Sequence, residues 1–153
     1  MKVSNRMGKG DYMHEIMAEF ILWTENPEIN IDRISERINL SPVDKECLGD
    51  VKYLGGNKSI KRIVDASSLL YSTDYIDTIE VEVVMQKMIE MLKPNLNTIV
   101  SLINQYKLTA KFCVVIKSSE HPIIFLSSDI LKTMAQLSSE IEFDMYLELD
   151  KDN

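Results

Sequence analysis

Two cysteines in 153 residues, Cys47 and Cys113, are too few for a disulfide framework. Cys113 lies in an apolar run, which predicts a buried free thiol. Cys47 lies in a polar stretch and is expected nearer the surface. Spacing alone leaves a Cys47–Cys113 bridge open. Long apolar runs are also missing. No stretch approaches the roughly 20 apolar residues of a membrane span. The first nine residues, MKVSNRMGK, are basic, but the run that follows, MHEIMAEFILW, is broken by Glu15 and Glu19. That interruption argues against a secretion signal and predicts a cytoplasmic protein. Residues 1–11 read as a flexible leader, and 12–150 as one α+β domain.

Positive charge is scarce. The net charge is −7 and the pI about 4.9. Nucleic acid and anionic membrane both need a basic footprint, so neither is an expected partner. Histidine is scarcer still. His14 and His121 are the only two, and neither has a Cys, His or carboxylate at metal-ligand spacing. No nucleophile elbow, metalloprotease helix or phosphate loop is present. No nucleophile, base and orienting group can be named together. The chain therefore reads as a non-enzyme with no metal and no cofactor.

What is present is periodicity. In residues 13–24, Ile16, Ala18, Phe20 and Leu22 fall on one side of a strand; Glu15, Met17, Glu19, Ile21 and Trp23 fall on the other. Asn30 suits the N-cap of a short helix with Ile31, Ile34 and Ile38 on one stripe, stopped by Ser41-Pro42. Residues 42–66 have no clean period and predict a long irregular excursion, with a short strand near 51–54. A second strand is expected over 67–75. Asp77 and Glu80 suggest a capping box for a helix with Val81, Val84, Met85, Met88, Met91 and Leu92 inward. Its methionine stripe reads as core filling. Pro94 ends it, and a further helix carries Leu96, Ile99, Val100, Ile103 and Tyr106. Residues 110–117 predict a third strand, and 123–126 a fourth, joined to it as a hairpin. A helix from Ser127 or Ser128 to Gln136 would turn Ile130, Leu131, Met134 and Leu137 inward. A final alternating strand, EIEFDMYLELD, closes the chain. Each helix has one apolar stripe, so all should pack on one face of a mostly antiparallel sheet. That predicts an α+β two-layer sandwich of ferredoxin-like character.

Residues 140–153 hold six acids and one lysine, a balance of −5 out of the total −7. A charged strand can simply block sheet-edge aggregation. It can also steer a basic protein partner, with Glu140, Glu142, Asp144 and Glu148 as contacts. The sheet face away from the helices carries Met17, Ile21 and Trp23 with Cys113 and Val115. It is too apolar to stand in water, so either the excursion or a second copy is expected to cover it. A pocket at Tyr71, Asp74 and Tyr75, with Lys58 or Lys61 of the loop GGNKSIKR closing over it, is the alternative small-ligand site. Its bland counterpart is that Asp77 caps a helix and Tyr71 packs.

Four stretches resemble a bacterial family known as domain-of-unknown-function family 4279. They are ISERINLSPVDKECLGD, YIDTIEVEVVMQKMIEMLKP, KFCVVIKS and IIFLSSDILKTMAQLSSEIEFDMYL. The last, a strand running into Leu-Ser, a helix and an alternating strand, is the most specific. Together they span most of residues 13–149. The resemblance implies a cytoplasmic α+β domain with no assigned activity. Some members are proposed as immunity proteins that neutralise secreted toxins. Two features depart from the pattern: a tryptophan of the second strand is replaced near Leu70–Tyr71, and the insertion at 50–66 is long. An acidic immunity-type binding protein is the resulting functional expectation.

Overall fold

A computed structural model describes residues 13–148; the expected leader, 1–11, lies outside the described residues. Strand β1, His14–Thr24, runs through the middle of a five-stranded mixed sheet of order β2-β5-β1-β6-β7. Its central place follows from its two faces, since Ile16, Ala18, Phe20 and Leu22 are all fully buried. Strand β5, Ser67–Ser72, pairs antiparallel with it on one side, and β6, Thr109–Ser118, antiparallel on the other. Short β2, Asp44–Glu46, extends the β5 side antiparallel, and β7, Glu140–Leu147, extends β6 in parallel. Strands β3, Val51–Leu54, and β4, Ile60–Ile63, form a separate antiparallel hairpin.

Helix α1, Ile31–Ile38, opens as its sequence predicts: the Asn30 side chain accepts from the backbone N–H groups of Asp32 and Arg33. It ends before Ser41-Pro42, because Asn39 takes the left-handed conformation (φ 54°) that asparagine tolerates. Helix α2, Val81–Leu92, passes through one 3-10 turn, Lys93–Asn95, into α3, Leu96–Tyr106. Pro94 sits at the start of that turn, where its missing N–H costs nothing. Helix α4, Ser128–Gln136, links β6 to β7. The buried residues of all four helices join one core with the Ile16–Leu22 face of β1. Phe112, Val114 and Ile116 of β6 belong to the same core.

Several expectations fail locally, for physical reasons. Residues 123–126 form no strand beyond an isolated bridge of Ile123 to Glu80. Both edges of β6 are already occupied, by β1 and β7, so no ladder is open to a hairpin. Ile123 instead accepts from Val81 N–H and donates to Ile79, satisfying the α2 start in place of a side-chain cap. The N-cap is Glu80, not Asp77, and Thr78 Oγ1 accepts from the Glu80 N–H. Leu131 points outward at 49% exposure, while Leu137 is fully buried. The 42–66 excursion is less irregular than its composition suggests, since β2, β3 and β4 all lie within it.

Candidate functional site

The helix-free face of the sheet is the candidate site. Side chains alternate across a strand, so the pairing register maps this face residue by residue. Successive rows read Glu46–Ser68–Trp23–Thr109, then Asp44–Leu70–Ile21–Lys111–Glu140, then Ser72–Glu19–Cys113–Glu142. Met17–Val115–Asp144 and Glu15–Lys117–Tyr146 complete it. Met17, Ile21 and Trp23 are half-buried, whereas Cys113 and Val115 at its centre are each 9% exposed. An apolar middle is thus bordered on both sides by carboxylates, from β2 at one margin and β7 at the other.

Glu140, Glu142 and Asp144 lie together on this face, as their spacing predicts. Glu148 lies just past the strand, its N–H donating to the Ser118 carbonyl. Lys111 Nζ pairs with Glu142 at 2.9 Å, and Tyr146 donates to Asp144 at 3.0 Å. These partners draw on only part of the acceptor capacity of the strand's acids. Burial, and then the nearby charge of Asp144, pushes the Glu19 carboxyl above its ordinary value. The sign follows. A raised carboxyl pKa adds stability below the unfolded value of about 4.3, and that stability is lost as pH rises through the folded value. Glu19→Gln is therefore expected to be more stable than the parent at neutral pH, with the gap closing below about pH 4. Urea unfolding across pH 3–8 checks this; a gap that widens at low pH would contradict it.

The second predicted site is not assembled. Tyr71 is 1% exposed, beside Phe20 in the core, and its hydroxyl finds no hydrogen-bond partner among the described residues. Burial pushes its pKa up to about 12. Asp74 and Tyr75 are exposed beyond β5, and the Tyr75 ring receives the Lys117 ammonium at 4.5 Å from its centroid. Lys58 lies in the β3–β4 turn and Lys61 on β4. A cavity of about 410 Å³ does exist at the far end of the sheet, between Met13, Lys117, Ser119, Tyr146 and Glu148. None of the five predicted ligand residues lines it. Tyr71→Phe deletes an unpaired buried hydroxyl, so it is expected to leave stability unchanged or raise it by up to about 2 kcal/mol. A loss above about 1 kcal/mol in thermal or urea unfolding would mean that the hydroxyl has a partner.

Cys47 and Cys113 are both free. Burial raises both thiol pKa values, which keeps them protonated and poor nucleophiles at neutral pH. No group of three metal-ligating side chains occurs among the described residues, and no helix there is long and apolar enough to cross a membrane.

Fold and face together define a small α+β domain with one open, acid-bordered sheet face. The chain belongs to the family described as "Domain of unknown function (DUF4279)", which it matches over residues 14–148. No curated protein and no solved structure matches it.

Proposed function

We propose that this is a cytoplasmic binding protein that engages a basic protein partner through the open face. Most concretely, it is an immunity-type protein that neutralises a toxin by occluding it. The observation that carries this reading is the clustering of Glu140, Glu142 and Asp144 with Glu15 and Glu19 around the half-buried Met17, Ile21 and Trp23. A solubility strand needs charge but no apolar centre. A recognition surface needs both: apolar area for affinity and single-sign charge for steering.

The architecture suits that role. We read it as a two-layer sandwich, because the buried helix residues join only the Ile16–Leu22 side of the sheet and leave the other side free. It shares a β-α-β crossover, β6-α4-β7, with a ferredoxin-like arrangement, but not the split of that unit. The two strands of that unit are immediate neighbours here, where a split β-α-β would place a strand between them.

Capture of partners by the tagged protein from cells of its native host, at low and at high salt, tests the proposal. A basic protein that is retained at low salt and leaves with salt is the expected result. Failure to retain any basic protein, or retention indifferent to salt, overturns it. The small-ligand alternative predicts thermal stabilisation by a metabolite, but its Tyr71 is enclosed in the core.

A further inference from the structure

The β3–β4 hairpin is the most anomalous element of the molecule. A lone two-stranded hairpin is marginal in water. This one also exposes Val51, Tyr53, Leu54, Ile60 and Ile63, each by 42–63%. Residues 51–63 hold four cations, Lys52, Lys58, Lys61 and Arg62, and no acid, in a chain of net charge −7. The hairpin is rooted by backbone bonds from Gly49 N–H to Val64 and from Val64 N–H to Asp50.

Its two faces differ. The pairs Lys52–Arg62 and Leu54–Ile60 share one face; Val51–Ile63 and Tyr53–Lys61 share the other. Lys52 and Arg62 bond Glu46 of β2, at 2.5 and 3.4 Å, and Lys52 lies 3.8 Å from Asp44, so the first face is turned toward the β2 margin of the helix-free face and leaves the β7 acids as its unengaged border. The Val51–Tyr53–Lys61–Ile63 face is turned away from it. It stays exposed, and Ile21 and Trp23 on the helix-free face of the same chain stay partly exposed.

We propose that this basic, apolar hairpin docks on the acidic, apolar sheet face of a second copy of the chain, in a reciprocal exchange of arms. The match is one of charge and of hydropathy. Tyr53 and Ile63 meet Met17, Ile21 and Trp23, while Lys58 and Lys61 meet Glu140, Glu142 and Asp144. A two-fold exchange makes the contact twice, which helps a short arm reach the roughly 1,200–2,000 Å² of a specific interface. Complementary charge on the two surfaces sets the register and makes the association salt-sensitive. The proposal goes beyond the basic-partner reading and competes with it for the same face, and purified protein alone decides it.

Sedimentation equilibrium of the full chain, at low salt and at roughly 0.5 M salt, is the experiment. A dimer whose Kd rises at least about tenfold with salt is expected. Y53S/I63S should abolish it with the circular dichroism spectrum unchanged, and with the melting temperature unchanged at concentrations where the parent is monomeric, since neither side chain belongs to the core. A charge swap gives the sharper result. K58E/K61E and E140K/E142K/D144K should each be monomeric alone and pair with one another when mixed, because in that mixture both arm–face contacts regain opposite charge. A parent protein that stays monomeric to millimolar concentration overturns the proposal, as does a dimer indifferent to Y53S/I63S. So does a dimer lost on removing residues 1–11 but kept by Y53S/I63S, which would make that basic segment the occupant.

Discussion

Phe20→Ala should cost about 3–5 kcal/mol of folding stability, at the top of the range for a single truncation in the core. Phe20 is fully buried in the middle of the central strand, with the Phe112 ring 4.9 Å from its own and the Tyr71 ring 6.4 Å away. Its backbone partners are those same two residues, Tyr71 of β5 and Phe112 of β6. Truncation thus removes ring contacts to both neighbouring strands and leaves a cavity walled by secondary structure that cannot collapse freely. Against a typical total of about 5–15 kcal/mol, the variant would sit near the folding threshold. Urea denaturation measures the loss. Ile21→Ala, next along the same strand but on the open face, is the control. Its side chain is already half in water, so roughly 1–2 kcal/mol is expected. Equal losses at the two positions would mean that the open face is as enclosed as the core.

The second large effect concerns rate, not stability. Reversing Glu140, Glu142, Asp144 and Glu148 to lysine adds eight charges and carries the net from −7 to +1. Association with a captured basic partner should slow by about 10–10³-fold at low ionic strength, because the steering field is removed. At about 1 M salt the screening length falls to roughly 3 Å, and the variant and parent should converge. Folding should survive, since these side chains lie outside the core and the one ion pair lost, Lys111–Glu142, is partly exposed. Stopped-flow association across a salt series reads the result. Unchanged rates at low salt would leave the acidic strand with only the task of preventing edge-to-edge pairing.

Much of the fold was legible from period and caps. The two faces of β1, the Asn30 cap, the α2 stripe except Met91, which stays outside the core, and the acid-bearing side of β7 follow from local spacing, because helix and strand periods act on neighbouring residues. The errors fall where distant chain segments compete. Residues 123–126 have the composition of a strand but meet a β6 with no free edge, so their backbone serves the start of α2 instead. Strands β2 and β4 are short and highly charged, and only pairing partners elsewhere in the chain make them strands. Tyr71 lies in the expected second strand, and the register turns its side chain into the core, as the packing alternative had it, which is why the pocket built around it did not assemble.

Local pattern alone gives an acidic composition, the acid-rich segment 140–153, the apolar faces of most elements and the helix-plus-sheet class. These are properties of single elements, set by local spacing and charge. That β7 lies parallel beside β6 emerges only from the assembled sheet. That neighbour relation aligns Glu142 and Asp144 with Cys113 and Val115, and through β6 with Glu19 and Met17. Only the assembled fold, too, sets the cations of residues 51–63 on a hairpin of their own. Strand order and register are settled by competition among all available edges, and no local pattern encodes the outcome of that competition.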